Sequence, residues 1–216
     1  MAMTGVNLEK AQTDLNNFRD AADAIETALA DASNTFADVV IHNWASPKAV
    51  EFAGKYSYKL IDIFVKPKEE FSYILNDAAL AVSQIAQSNG ASFDSSRYFP
   101  LPTTMFYGHG SLEEVVEVSP NGETGMNIEV VKAGLDAFVA SLESAKASMD
   151  DLPTDIALYD ESGELKASFA DRIAKAKAKV TEIITEIKND VQASLSTETD
   201  AVITGVKTAL DEMQAD

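Results

Sequence analysis

The phrase TGVNLE at residues 4–9 returns as TGMNIE at residues 124–129, and each copy opens the same apolar spacing. Behind the first copy, apolar or small residues stand at Leu8, Ala11, Leu15, Phe18, Ala22, Ile25, Leu29, Ala32, Phe36 and Val39. Behind the second they stand at Ile128, Val131, Leu135, Phe138, Leu142, Ala145, Met149 and Leu152. Steps of three and four residues put each set on one side of a helix, as in a bundle or coiled coil. Asn7 and Asn127 are the expected N-caps, because a short side-chain amide accepts from a free N–H of the first turn. The repeated phrase therefore reads as a helix start, and the first helix, over about residues 8–41, is expected to be about 50 Å long at 1.5 Å per residue.

Each of these helices leads through a turn into another. After the first comes HNWASPKAVEF, where Ser46 and Pro47 supply a capping oxygen and a proline suited to the first helical position. After the second comes LPTDIALYDESGELKASF, where Pro153 and the cluster from Asp160 to Gly163 break the pattern. The following helices correspond at an offset of 117: Phe52 with Phe169, Tyr56 with Ile173, Ile63 with Val180, Ile74 with Val191, Ala78 with Leu195, and Ile85 with Val202. Pro67 is expected to kink the first of them. The SLSTETD stretch is expected to interrupt the second, with Ser196 or Thr197 capping a last segment.

The expected fold is all-α: two tandem helical hairpins, residues 1–88 and 124–216, packed as an antiparallel four-helix bundle. The connector, residues 89–123, holds Phe93, Tyr98, Phe99, Phe106 and Tyr107, so it is expected to pack on the helices rather than run free. TTMFY and EEVVEV around GHGS are candidates for a short β-hairpin within it.

Charge and motif content narrow the function. A formal charge of −18 argues against binding nucleic acid or an anionic membrane. The chain has no cysteine, hence no disulfide framework or thiol chemistry. No run of 18 apolar residues is present to span a bilayer. The opening MAMTGVNLEK has neither a basic nor an apolar leader region, so no cleaved signal peptide is expected. Phosphate-loop, nucleophile-elbow, dinucleotide and zinc-protease signatures are all missing. Neither His42 nor His109 has the glutamate three residues earlier that a carboxylate-bridged metal site in a bundle uses. No enzyme activity, cofactor or metal is expected, and Lys175, Lys177 and Lys179 read as a solvated helix face.

The stretch Trp44 to Phe52, WASPKAVEF, resembles the turn of the WXG family of small helical hairpins exported by type VII secretion systems. Trp44, Ala49 and Phe52 match its pattern, while Ser46 stands where the family has glycine. In the second half Tyr159 is the aromatic nearest a turn tryptophan, and Ala167 and Phe169 continue the pattern. The resemblance implies hairpins paired as an antiparallel bundle, here fused into one chain and monomeric. It implies synthesis in the cytoplasm, secretion without a cleaved signal peptide, and recognition by the secretion ATPase or a co-secreted protein. It also implies an export signal of Tyr and an acid four residues apart, for which Tyr73 and Asp77 are the first candidates and Tyr58 and Asp62 the second. The alternatives are a subunit of an all-helical membrane-acting toxin and a structural helical bundle of the cytoplasm.

Overall fold

A computed structural model of the chain describes residues 5–98, 125–159 and 163–215, apart from the side chains of residues 39–42, 57, 58, 61, 62, 64, 159 and 215. The described chain is predominantly helical, in the order β1 (Gly5–Val6), α1 (Leu8–Asn43), β2 (Trp44–Ala45), α2 (Pro47–Ser88), β3 (Gly125–Met126), α3 (Ile128–Ser148), β4 (Leu158–Tyr159) and α4 (Glu164–Ala215). Short 3-10 turns occupy Ser96–Tyr98 and Met149–Asp151.

Both copies of the phrase start helices through their asparagine. The Lys10 N–H donates to Asn7 Oδ1 at 3.0 Å, and the Val130 N–H to Asn127 Oδ1 at 3.4 Å. At the α2 start the Ala49 N–H donates to Ser46 Oγ at 3.1 Å, with Pro47 as the first helical residue. α2 runs on through Pro67, which is buried, so surrounding packing offsets the hydrogen bond that proline cannot make. It ends where Gly90 adopts φ 73° and the Ala91 N–H reaches back to the Ala86 carbonyl at 2.9 Å.

Burial follows the repeat closely. Ala11 and Val131, Phe18 and Phe138, Ala22 and Leu142, Ile25 and Ala145, Leu29 and Met149, and Ala32 and Leu152 are buried as pairs. The pairs at the second offset also agree: five are buried on both sides, and Ile85 and Val202 are both half-buried. Leu15 and Leu135 differ, since Leu15 is 0 % exposed and Leu135 half-buried. Leu15→Ala is accordingly expected to cost about 2–5 kcal/mol and Leu135→Ala under about 2 kcal/mol, read from denaturant midpoints. Equal losses at the two positions would contradict this register.

Three sequence expectations are corrected. The second stripe does not lie on one helix through Leu152: α3 ends at Ser148, with 21 residues against 36 in α1. After Ser148 the chain tightens into the 3-10 turn and turns extended at Leu152 (φ −63°, ψ 126°), the backbone that the following Pro153 favours. α4 has no break at SLSTETD. Thr197 and Thr199 donate their hydroxyls to the Ala193 and Leu195 carbonyls, at 2.9 and 2.8 Å, and so bond back along the helix instead of capping a new one. Tyr159 is not the counterpart of Trp44, for a reason that lies in the strand register described below.

The chain forms two compact units. One comprises Met1–Ala30, Ile63–Phe106 and Glu143–Ile184; the other comprises Asp31–Asp62, Tyr107–Leu142 and Thr185–Asp216. Each draws on both hairpin-length segments of the sequence. In the first, Phe18 meets Phe71 edge-on at 6.0 Å, and Asp14 accepts from the buried Ala157 N–H at 3.1 Å. The described part of the connector packs in this unit: Phe93 stacks on the buried Tyr98 at 6.0 Å, and the Tyr98 hydroxyl donates to Asn16 at 3.1 Å. Glu26 is fully buried here, with the Lys68 ammonium 3.7 Å away. In the second unit Phe36 is the hub, 5.8 Å from Phe52, 6.1 Å from Tyr56 and 5.9 Å from Phe138. The expected β-hairpin of TTMFY and EEVVEV lies outside the described residues.

Candidate functional site

The two phrases do more than start helices. Gly5 and Val6 pair antiparallel with Tyr159 and Leu158 in the first unit, while Gly125 and Met126 pair with Ala45 and Trp44 in the second. Each copy is thus bridged to the turn of the other half of the sequence. A glycine opens each strand, and a Val or Met supplies the apolar partner. In this register Val6 corresponds to Met126, so Leu158 occupies the place of Trp44 and Tyr159 that of Ala45. The tryptophan of the first turn is therefore matched by leucine in the second.

The first turn gathers the predicted motif. Trp44 is buried, its ring 5.4 Å from Phe52, which lies 4.7 Å from Tyr56. Ala49 is fully buried, and Ser46 caps α2. The Asn127 N–H donates to the Asn43 carbonyl at 2.8 Å and ties the second phrase to the end of α1. Trp44, Ser46, Ala49 and Phe52 thus stand together at one turn, with Trp44 as a packing anchor.

Beyond this turn lies a polar network that sequence reasoning did not find. Tyr56 is buried, yet its hydroxyl contacts Ser194 Oγ at 2.5 Å and donates to Asp190 Oδ1 at 3.2 Å. Lys59 donates to Asp190 Oδ2 at 2.7 Å. Tyrosine at an apolar heptad position is the signal that was available, because a buried phenol needs a partner. The Lys59 hydrogen bond holds the Asp190 carboxyl below its ordinary range, and Asp190 in turn raises Lys59. A depressed carboxyl stabilises the fold above the unfolded value, near 4, and loses that contribution as pH falls through the folded value. Asp190→Asn is therefore expected to cost up to about 1 kcal/mol at neutral pH, as half-exposed ion pairs do, and to approach wild type in strong acid, once Asp190 is protonated in the folded chain as well. Thermal melts at the two pH values check it. The neighbouring cleft of 420 Å³ carries Lys48 and Lys55, but Lys48 is already held by Glu198 at 3.1 Å and Lys55 lies 3.9 Å from Asp190, so it is not an open anion site.

The second predicted site lies on α2 in the first unit. Tyr73 is 64 % exposed and lines a shallow cleft of 240 Å³ with Glu70, Ile74, Arg172, Lys175, Ala176 and Lys179. Asp77, one turn further along, accepts from Arg172 at 2.8 Å, and Glu70 accepts from Lys179 at 2.5 Å. The patch is therefore a projecting phenol beside an acid already paired with a cation of α4. Lys175, at the same rim, is exposed and pairs with Asp171 at 2.7 Å. The side chains of Tyr58, Asp62 and His42 lie outside the described residues, as does His109 altogether. Among the described residues no group of three or more histidines and carboxylates converges where a metal ion could sit. No helix among them is long and apolar enough to cross a membrane.

Compared with models of protein families, with curated proteins and with solved structures, the chain matches none of them.

Proposed function

We propose that this chain is a non-enzymatic substrate or secretion partner of a type VII secretion system. It acts by protein–protein recognition, and its two WXG-like hairpins fold together as a monomeric four-helix pseudo-dimer. The observation that carries the reading is the reciprocal bridging: each phrase pairs with the turn of the other half, which supports two hairpins set antiparallel. Fusion makes that pairing intramolecular, at an effective concentration reaching about millimolar for a short connection. Trp44, Ala49 and Phe52 packed at one turn support the family resemblance, with Ser46 taking the glycine position as a cap. Tyr73, projecting into solvent one helical turn from Asp77, supports their reading as an export address.

In this reading the chain is made in the cytoplasm and leaves without a cleaved leader. Its partner is the secretion ATPase or a co-secreted protein, and no cofactor takes part. The test is release of the full chain into the medium by a host with and without its type VII ATPase. Release confined to the ATPase-containing host is the expected result, and equal release from both ends the reading.

A further inference from the structure

A cluster of charge lies where α1 meets α2 in the first unit. Glu26 of α1 is 0 % exposed, and the Lys68 ammonium of α2 stands 3.7 Å from its Oε2. Asp23 precedes Glu26 by three residues, so the two carboxyls share one side of α1. Asp23 Oδ1 is shut off from solvent, and no donor of the protein reaches it. The charges facing Asp23 are Arg19 and Asp20 from its own helix and Lys68 from α2. Arg19 is engaged by Asp20, its Nη2 donating to Asp20 Oδ1 at 3.2 Å, and Lys68 acts on Asp23 more weakly than Arg19 does. A carboxylate so placed has an oxygen with neither water nor a donor, whereas the protonated acid carries a donor of its own. Burial accordingly pushes the Asp23 carboxyl above its ordinary range, and the pull of Arg19 and Lys68 only partly opposes it.

We propose that Asp23 is a proton-operated control on the α1–α2 contact of the first unit, weakening it while charged at neutral pH and strengthening it when mild acid protonates the carboxyl. The neutral acid is the form that fits the sealed side of α1, so folding and proton uptake favour one another. A carboxyl of this kind binds its proton more tightly in the folded chain than in the unfolded one. Stability therefore rises as pH falls through the folded value, is fully gained below the unfolded value near 4, and is lost again as pH climbs. Asp190, in the second unit, has the opposite sign, because its hydrogen bond from Lys59 favours the charged form. Geometry separates the two aspartates: Asp190 accepts hydrogen bonds from Tyr56 and Lys59, and Asp23 Oδ1 accepts none. This inference does not depend on the export reading.

The test uses the full chain, with melting followed by circular dichroism at micromolar concentration. Asp23→Asn keeps the shape of the acid and is neutral at every pH. At about pH 7 it is expected to melt about 2 °C or more above wild type. At about pH 5 the gap is expected to narrow, because wild type gains a proton that the variant cannot take up. Asp31→Asn removes the same charge from an exposed position of the same helix and is expected to melt within about 1 °C of wild type. Asp190→Asn, the same change at the hydrogen-bonded acid, is expected to melt below wild type at about pH 7. An Asp23→Asn melting point at or below that of wild type at about pH 7 overturns the proposal. So does a gap that stays constant between the two pH values, which would make the gain one of packing alone. An equal rise in Asp31→Asn or Asp190→Asn would make it relief of the −18 net charge, with the same consequence.

Discussion

Phe36→Ala is expected to remove about 3–5 kcal/mol of stability, a large fraction of what holds a small domain together. Phe36 is buried, and its ring lies within about 6 Å of Phe52, Tyr56 and Phe138, which come from α2 and α3. Truncation deletes the apolar area of one ring and leaves three others facing a cavity they cannot collapse into together. Trp44, the only tryptophan, sits 5.4 Å from Phe52 in the same cluster, so its fluorescence reports the loss directly. Denaturation followed by that fluorescence should show a much lower midpoint for Phe36→Ala. Lys175→Ala, at an exposed position, should stay within about 0.5 kcal/mol of wild type. A cost under about 1 kcal/mol at Phe36 would mean that these rings do not form a packed core.

What was legible in the sequence is what periodicity and capping encode. The stripes behind the two phrases, the Asn7, Asn127 and Ser46 caps, and Pro47 as a first helical residue all follow from local rules, and each is found. The helix boundaries that failed did so where local rules conflict. The stripe continues to Leu152 and that residue is buried, but Pro153 forces the residue before it out of helical backbone. At SLSTETD the hydroxyls have the chemistry of caps, yet a threonine inside a helix satisfies its hydroxyl on the carbonyl four residues back.

Long-range choices were not legible at all. Glu26 reads as a solvated acid beside Ile25, and only the approach of Lys68 from α2 shows how its burial is accommodated. Asp190 likewise reads as surface charge until Tyr56 and Lys59 converge on it. The repeated phrase was visible, but its partner was not. Two residues of extended backbone carry too little pattern to say which turn they pair with. The answer, each phrase on the turn of the other half, is a property of the folded chain. It accounts for the large apolar residues, Trp44 and Leu158, at the positions facing Met126 and Val6.

Tyr73→Ala combined with Asp77→Ala is expected to abolish release of the chain into the medium while leaving its melting nearly unchanged. Tyr73 projects into solvent, and the Asp77–Arg172 pair is exposed on both sides. Exposed pairs contribute at most about 1 kcal/mol, so the double variant keeps its fold. This separates an address from a structural contact, which Trp44→Ala cannot do. Trp44 is buried against Phe52, and its truncation costs about 3–5 kcal/mol, so any loss of export there could arise from unfolding alone. Two single variants refine the result. Asp77→Asn keeps the shape of the acid but removes its charge, and Arg172→Ala frees the acid without altering it. If a recognising surface reads the carboxylate, Asp77→Asn lowers release, whereas Arg172→Ala preserves it. Release of the double variant at wild-type level, from a host whose ATPase is needed for export, would show that Tyr73 and Asp77 are ordinary surface residues and that the address lies elsewhere on the chain.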